Sequence, residues 1–205
     1  MDSIDLRSRY DAVDEDIPFD EPNLIRVGKK KNGQMMTGFV NRFGIEVVPC
    51  EYITRDYSFS CGLLSIYDKN GKIGFINRNG DFVYRCQFDG ASGFKDNLCG
   101  VSKDDGRVHK WGLIDDRGNL LISYKYSAVV VLGNNRILVE DAYMPRVGGG
   151  GKGCGMIDYS GNAITSFEYR QMGPILSDGT LEYVHFNGKH GIMDINGNIK
   201  EILPY

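Results

Sequence analysis

The first residues that could do chemistry are two adjacent carboxylates, Asp115 and Asp116, in the stretch HKWGLIDDRGN. Neighbouring carboxylates can serve as a general acid and a general base, and carboxylate oxygens are ligands that Ca²⁺ prefers. A calcium loop places several oxygen ligands at alternate positions ahead of a glycine, whereas this stretch offers one Asx residue three positions before Gly118. Calcium binding is therefore disfavoured, and a catalytic role depends on whether the pair is unique in the chain.

A glycine-rich run, RVGGGGKGCG at residues 146–155, raises the question of a phosphate-binding loop. A Walker loop begins with glycine and has Ser or Thr after its lysine, but this run begins with Arg146 and has Gly153 after Lys152. The run also leads into a strand-like segment, whereas a Walker loop leads into a helix. We therefore expect a hairpin tip here and no nucleotide cofactor.

Histidine and cysteine offer no stronger site. His185 and His190 could approach each other across the Asn187-Gly188 turn and bind a metal, but a lone histidine pair in a strand is usually a surface feature. No two of the five cysteines are spaced as CxxC, so we expect small core residues in a reducing cytoplasm. We expect no catalytic residue, no metal and no cofactor, and hence no enzyme. The cysteines are Cys50, Cys61, Cys86, Cys99 and Cys154.

The stretch around Asp115 is one of five copies of the pattern Gly–apolar–apolar–Asx–x–x–Gly. The intervals between the first glycines are 36, 38, 43 and 36 residues, which is typical of solenoids, propellers and arrays. An aromatic residue stands fourteen positions after each first glycine. The five copies begin at Gly38, Gly74, Gly112, Gly155 and Gly191, and their aromatics are Tyr52, Phe88, Tyr126, Tyr169 and Tyr205.

Two turns are predicted in each copy. Ahead of the motif, Asn-Gly or Asp-Gly pairs favour two-residue hairpins, with the run Gly148 to Gly151 in the fourth copy. Within the motif, the Asx side chain can accept backbone N–H groups and the last glycine can adopt a left-handed conformation, which predicts a three-residue hairpin. We interpret the motif glycines as hairpin geometry. The pairs are Asn32-Gly33, Asn70-Gly71, Asp105-Gly106 and Asn187-Gly188.

The repeat settles the interpretation of the two acids. Asp115 has a counterpart in every copy, and two of the counterparts, Asn41 and Asn77, are amides that cannot act as a base. We therefore expect Asp115 to cap a turn. The aromatics and the apolar pair of each motif are expected to form a core that neighbouring copies share.

These patterns predict an all-β fold of five tandem three-stranded hairpin or meander units in an open, twisted, solenoid-like array. Residues 1–23 are an acidic cap that begins with a strand, IDLRSRY, and residues 24–205 are the array. A closed five-bladed β-propeller is the alternative, although propeller blades usually have four strands. The units are expected at about 24–62, 63–97, 98–135, 136–180 and 181–205.

Charge and hydropathy exclude several classes of partner. Residues 1–22 have eight acidic and two basic side chains, and the remaining 19 acidic and 22 basic side chains leave a net charge of +3, too small to indicate nucleic-acid binding. No apolar run is long enough for a signal peptide or a membrane span. The expected location is the cytoplasm.

The repeat resembles the bacterial WG family, also called KWG repeats. The best local match is KWGLIDDRGNLLISYKY, from Lys110 to Tyr126, and GFVNRFGIEVVPCEY keeps the proline of the family pattern at Pro49. The tryptophan position is Thr37 in the first copy and Cys154 in the fourth, which makes the boundaries of the units uncertain. The resemblance implies a fold type and a binding or scaffold role, with no shared catalytic residues to transfer.

Function in a repeat protein tends to lie where one copy departs from its siblings. The largest departure is the first hairpin of the fourth copy, residues 140–154, and the tip of the third copy is also long. We therefore predict a non-enzymatic protein–protein interaction module, such as an adaptor, scaffold or toxin-neutralising immunity-type protein, with carbohydrate binding as the alternative. An open sheet edge could also recruit a second copy as a homodimer. The predicted partner-binding residues are Tyr143, Met144, Arg146, Lys152, Arg107 and His109.

Overall fold

The structure is a computed structural model that describes residues 5–14, 24–54, 59–104, 106, 109–141 and 153–203. Within these residues the regular elements are strands, apart from one short 3₁₀ helix, η1 (Leu6–Ser8). The predicted all-β fold is confirmed. None of the described helical residues forms a helix with the length and apolar character needed to cross a membrane.

The chain divides into two compact units. Unit 1 comprises Met1–Phe94 with Asp116–Gly118, and unit 2 comprises Lys95–Asp115 with Asn119–Tyr205. The strands of unit 1 are β1 (Ala12–Asp14), β2 (Leu24–Lys31), β3 (Gln34–Asn41), β4 (Glu46–Tyr52), β5 (Leu63–Tyr67), β6 (Ile73–Asn77), β7 (Phe82–Phe88) and β8 (Gly90–Ala91). The strands of unit 2 are β9 (Leu98–Asp104), β10 (His109–Asp115), β11 (Leu120–Tyr126), β12 (Ala128–Gly133), β13 (Arg136–Asp141), β14 (Gly153–Ile157), β15 (Tyr169–Met172), β16 (Thr180–His185), β17 (His190–Asp194) and β18 (Ile199–Ile202).

All of the strand pairs are antiparallel meanders. In unit 1 the strand orders are β1-β2-β3-β4 and β5-β6-β7. In unit 2, β9, β10 and β11 pair in sequence, and β12 to β18 form a seven-stranded sheet in chain order. Each strand order is linear, so no sheet of the described residues closes on itself. This arrangement agrees with the predicted tandem array of meander units.

Some copies have one strand more than the three that were predicted. A short strand lies ahead of the expected three in the first, fourth and fifth copies, where β1 pairs with β2, β12 with β13, and β15 with β16. In the second copy Ile53 forms a single bridge to Tyr67 of β5. In these copies the segment ahead of the expected strands therefore adds a further strand, whereas the second copy has the three strands predicted.

Tight turns explain the additional strand. Both residues of two turns have positive φ. The values are 50° and 76° in Cys61-Gly62, and 54° and 60° in Asn134-Asn135. Two consecutive left-handed residues form a two-residue hairpin whose twist matches that of the flanking strands. The chain therefore folds straight back from the short strand into the next long one.

The N-terminal segment also differs from its prediction. The sequence IDLRSRY was expected to be a strand, but it contains η1, whose first turn is closed by Asp5 Oδ1 accepting a hydrogen bond from Ser8 N at 3.3 Å. This local side-chain bond competes with an extended backbone. The predicted capping strand exists further along the chain, as β1, whose Ala12 pairs with Gly28.

The first turns follow the prediction only in part. Asn32-Gly33 has φ values of 51° and 78° and is the two-residue turn expected. The turn at Asn70-Gly71 is one residue longer, because Asp68 Oδ1 accepts hydrogen bonds from Asn70 N and Lys72 N, both at 2.9 Å. The turn at Asn187-Gly188 is lengthened in the same way, with His185 Nδ1 accepting from Asn187 N at 3.1 Å. Two of the predicted turns, those with Asp105 and with Gly148 to Gly151, include residues outside the described ones.

The second turns follow the prediction closely. Asn41 Oδ1 accepts hydrogen bonds from Phe43 N at 2.9 Å and from Ile45 N at 3.1 Å. The equivalent side chains of the second, fourth and fifth copies accept from the backbone two and four residues later, and Asp115 accepts from Asn119 N at 2.8 Å. Asp115 is therefore a turn cap, as predicted.

The first glycine of the motif has a different role from the one expected. This glycine lies inside the second strand of the meander. The third strand crosses it so closely that a Cβ atom on the glycine would overlap the backbone of the third strand. A Cβ on Gly38 would lie 2.6 Å from Val48 O, and one on Gly112 would lie 2.5 Å from Ile122 O. The ladder shifts register across each of these glycines, and again after the residue that follows it. Close backbone approach at a β-bulge therefore requires this glycine, and the interpretation as hairpin geometry holds only for the second one.

The predicted shared core is confirmed. In the described copies, the residue before the first glycine pairs with the aromatic residue that stands fourteen positions after that glycine, as in Trp111↔Tyr126 and Ile73↔Phe88. One cluster of buried residues joins Leu113 and Tyr126 of the third copy to Val139 of the fourth, with Trp111 packed against it. Neighbouring copies thus bury each other's faces. Tyr205 lies outside the described residues.

The close approach at the first glycine can be tested by substitution. Gly112→Ala should lower the free energy of unfolding by about 3 kcal/mol, because the added methyl group must displace the third strand. Gly173→Ala is the matched control in the same unit, since its Cβ would meet its nearest neighbours at an ordinary 3.7 Å. The control should stay within about 1 kcal/mol of the parent in urea unfolding. Equal effects of the two substitutions would contradict the proposed crossing.

Candidate binding surface

The predicted partner-binding residues lie largely outside the described part of the chain. Tyr143, Met144, Arg146 and Lys152 belong to residues 142–152, and Arg107 belongs to residues 107–108. The structure therefore does not test their proposed role. The remaining predicted residue, His109, is among the described residues.

His109 lies at the start of β10, at the end of the β9–β10 hairpin. It pairs across the strands with Asp104, and its Nε2 atom lies 3.6 Å from Asp104 Oδ2. Both side chains are substantially exposed. An exposed contact of this kind contributes little to stability.

A groove lies near this hairpin end, within unit 2. Groove 2, as we name it, has a volume of about 380 Å³ and is open to solvent. It is formed where the third strand of the third copy, β11, meets the fourth copy. Its lining residues are Lys110, Tyr124, Lys125, Tyr126, Asp141 and Phe167.

Aromatic rings and lysines form the walls of groove 2. The rings of Tyr126 and Phe167 stack, with centroids 6.5 Å apart and planes inclined by 15°. Lys125 Nζ lies 5.0 Å from the centroid of the Tyr126 ring, and Lys103 Nζ lies 5.3 Å from that of Tyr124. Burial raises the pKa of the Tyr124 hydroxyl, so the group stays protonated and can donate a hydrogen bond.

Unit 1 contains an equivalent groove. Groove 1 has a volume of about 580 Å³ and is formed where the first copy meets the second. Tyr52 occupies the position of Tyr126, since each stands fourteen residues after its first glycine, and Asp68 occupies the position of Asp141. The lining residues are Lys31, Asn32, Gln34, Met36, Glu51, Tyr52, Asp68 and Lys69.

The two grooves differ in charge and in the chemistry of their floors. Groove 1 has two lysines and two carboxylates, whereas groove 2 has two lysines and one carboxylate. Met36 of groove 1 is replaced by Lys110 in groove 2. The same backbone geometry thus presents a balanced surface in one unit and a basic one in the other.

The histidine pair considered as a metal site does not come together. The register pairs His190 with Val184, so His185, the next residue along β16, points to the opposite face of the sheet. His185 Nε2 instead lies 3.8 Å from Glu168 Oε2. Among the described residues, no group of three or more His, Cys, Asp or Glu side chains is placed to hold a metal ion.

The thiols are poor nucleophiles where they are buried. Burial raises the pKa of Cys154 to about 11, with Glu140 acting in the same direction, and it also raises the pKa of Cys50 and Cys86. The thiolate is the reactive form, so a raised pKa suppresses reaction. Cys61 differs from the expected core role, because it is exposed and lies in a turn.

Sequence reasoning missed both grooves. Tyr126 was predicted as core, and it is buried there, but the space beside it exists only where two copies meet. Lys110 and Lys125 occupy regular positions of the repeat, so departure from the pattern did not single them out, and Asp141 lies at the start of the irregular hairpin but was not among the predicted binding residues. A comparison of the copies offers no signal at Lys110, because the second and fifth copies also have lysine at this position, as Lys72 and Lys189.

Comparison with known families gives one match. Residues 73–106 and 111–141 match the family described as WG containing repeat. These stretches include β6 to β9 and most of β10 to β13. The resemblance to WG repeats is thus confirmed for two adjacent repeats. No match was found among curated proteins.

Three solved structures show a distant likeness to the chain. The computationally designed protein Ika8 has a TM-score of 0.42 at 13% identity, over 88% of this chain and 58% of its own. The WD40 β-propeller domain of Doa1 has a TM-score of 0.40 at 14% identity, over 89% and 62%. BamB from Moraxella catarrhalis has a TM-score of 0.34 at 10% identity, over 90% and 71%. The chain therefore spans about three fifths of the first two, and scores this low support no conclusion about fold or function.

Alkylation tests the reactivity of the thiols. At pH 8 iodoacetamide should modify Cys61 and leave Cys154 unmodified, because the Cys154 thiol is buried and its pKa is about 11. Peptide mass spectrometry reads the modified fraction at each site, and unfolding in urea should make all five cysteines react. Rapid modification of Cys154 in the folded protein would indicate an activated thiol and contradict the account.

Proposed function

We propose that the protein is a non-enzymatic module that binds another protein in the cytoplasm, because residues 73–106 and 111–141 match the family described as WG containing repeat. The resemblance implies a binding or scaffold role. An adaptor, a scaffold and a toxin-neutralising protein all act through contact alone, and all three fit this proposal.

The observation that carries the proposal is the recurrence of an open, mixed groove at equivalent junctions of the repeat. Grooves 1 and 2 combine an aromatic side chain with charged groups from two adjacent copies. Interfaces between proteins are enriched in tyrosine and are rimmed by polar groups. An open groove of this length suits an extended segment of a partner better than it suits a small molecule, which is usually enclosed.

Groove 2 is the better candidate for the principal contact. It is lined by Asp141, the last residue of β13, and the predicted tip residues follow Asp141 directly in the sequence. Its lysines, Lys110 and Lys125, would attract carboxylates of a partner and fix their position. The hairpin end with His109 belongs to the same copy as β11 and so supports the same surface.

The structural roles of several candidate groups among the described residues are consistent with the non-enzymatic part of the proposal. Asp115 is explained by turn capping, and burial raises the pKa of the Cys154 thiol. In the described residues, His109 lies next to Asp104 and His185 next to Glu168. Neither pair has a nucleophile beside it in the contacts described.

Carbohydrate binding is less well supported. Sugar recognition needs an exposed aromatic face, but Tyr126 is only 7% exposed, and its ring faces are occupied by Phe167 and Lys125. The tyrosines of the grooves act as walls that hold the charged groups in place. This arrangement favours a polypeptide partner.

Site-specific photocrosslinking in the native cell tests the proposal. A photoreactive amino acid at position 125 should crosslink to a partner protein, whereas the same probe at the exposed position 170 of β15 should not. Charge reversal of both lysines, Lys110→Glu with Lys125→Glu, should reduce capture about tenfold or more, because it places acids against an acid-binding surface. The matched control is Arg170→Glu, which should leave capture unchanged.

Two further arms separate the alternatives. A variant without residues 142–151 tests the predicted tip, and unchanged capture by this variant would restrict the partner site to the groove. A glycan array tests carbohydrate binding. Equal capture by the wild type and the double lysine variant, or a glycan response without any captured protein, would contradict the proposal.

A further inference from the structure

The second turn of the first copy departs from its four siblings. Its side chains Phe43 and Ile45 are apolar and are 63% and 60% exposed. Exposed apolar side chains of this size, side by side, mark a contact surface when they are not scattered. The residues at the same two positions in the later copies are all polar, and they are Asn79, Asp81, Arg117, Asn119, Ser160, Asn162, Asn196 and Asn198.

The turns of the second and fifth copies lie against the segment that follows the corresponding turn of the copy before them, whereas a Cβ on Gly161 of the fourth copy would meet nothing within 4 Å. A Cβ on Gly80 would lie 2.8 Å from Val47 Cγ2, and one on Gly197 would lie 2.8 Å from Thr165 Cγ2. A Cβ on Gly118 would lie 3.9 Å from Val83 O. In the first copy, Gly44 O accepts a hydrogen bond from Arg9 of the N-terminal segment, and Phe43 and Ile45 of the same turn stay exposed. We call residues 42–45 the head.

The third strand of the last copy is the complementary end. In earlier copies the positions that receive a turn are apolar or half-apolar, as in Val47-Val48 and Ile164-Thr165. In the last copy they are Lys200-Glu201, and all four residues of β18 are exposed. Ile199 and Ile202, which flank the charged pair, are 53% and 56% exposed. We call β18 the tail.

Charge distinguishes the head from the tail. At the head, the Arg42 guanidinium lies 4.8 Å from the centroid of the Phe43 ring, and Arg9 Nη1 donates a hydrogen bond to Gly44 O at 2.8 Å. At the tail, Lys200 Nζ lies 3.1 Å from Asp194 Oδ2. That ion pair offsets the charge of Lys200, so the net charge of β18 comes from the carboxylate of Glu201. The head is therefore apolar and basic, and the tail is apolar and acidic.

We propose that the head of one molecule packs on the tail of a second copy, so that the protein associates head to tail. The contact repeats, between two molecules, the packing of a turn on the preceding copy that is seen at Gly80 and Gly197. Arg42 pairs with Glu201 of the second copy, and Phe43 and Ile45 cover its exposed isoleucines. Two heads would bring arginines together, so a two-fold contact between heads is disfavoured. A heterologous contact of this kind builds chains of molecules.

The expected association is weak, because few side chains contribute. Small interfaces of this type are transient, and a dissociation constant on the order of 100 µM is expected. The proposal concerns surfaces other than grooves 1 and 2, so it stands or fails independently of the proposed function.

Analytical ultracentrifugation over about 10 µM to about 1 mM tests the proposal at concentrations that bracket the expected constant. The wild type should show a weight-average mass that rises with concentration. A head variant, Phe43→Asn with Ile45→Asp, introduces the residues of the second copy and should remain a monomer. A tail variant, Ile199→Ser with Ile202→Ser, should also remain a monomer. The matched control, Val130→Thr with Leu176→Ser, removes two apolar side chains of similar exposure elsewhere and should behave as the wild type.

Mixing the variants tests the head-to-tail geometry. An equal mixture of the head and tail variants has one intact head and one intact tail per pair, so it should form dimers and no larger species. Arg42→Glu should weaken the association about tenfold, and Arg42→Glu with Glu201→Arg should restore it. These charge changes lie on exposed residues, so they remain informative if the apolar substitutions prevent folding.

Three results would overturn the proposal. The first is a wild type that stays monomeric at every concentration. The second is a control variant that loses association together with the head and tail variants. The third is a mixture of head and tail variants that stays monomeric while the wild type associates, since this would indicate a two-fold contact.

Discussion

The structure of each copy depends on the close approach of the third strand to the first glycine of the motif. At Gly112 the carbonyl oxygen of Ile122 occupies the space where a side chain would begin, at 2.5 Å from a Cβ position. The ladder shifts register there, and the following strand residues place Tyr126 opposite Trp111. The fixed distance from glycine to aromatic therefore follows from the crossing. The shared core depends on it as well, because that aromatic is what each copy contributes to its neighbour.

Features that depend on neighbours in the sequence could be predicted, and features that depend on distant segments could not. The turn at Asn41 was predictable because its side chain bonds to the backbone within four residues. The role of Gly112 was not, since its constraint comes from a strand ten residues away that the sequence does not mark. The additional strands were missed for a related reason, because the repeat motif does not mark the short segments that pair with β2, β13 and β16.

The candidate site shows the same division between local and distant information. The search for irregular segments led to the hairpin after Asp141, whose residues 142–152 lie outside the described structure. Groove 2 instead consists of ordinary repeat positions, and it exists because β11 of one copy meets the next copy. A periodic sequence therefore predicts the architecture well and the binding surface poorly. The position of Lys110, where another copy has Met36, is the small difference that gives the groove its charge.

Nuclear Overhauser effects in solution test the crossing most directly. The account predicts strong contacts between the Hα atoms of Gly74 and the amide of Cys86, since a Cβ on Gly74 would lie 2.7 Å from Cys86 N. Equivalent contacts should recur in the first copy between Gly38 and Cys50, whose corresponding distance is 2.8 Å. An uninterrupted antiparallel ladder, with these contacts absent and the glycines facing ordinary cross-strand partners, would contradict the account.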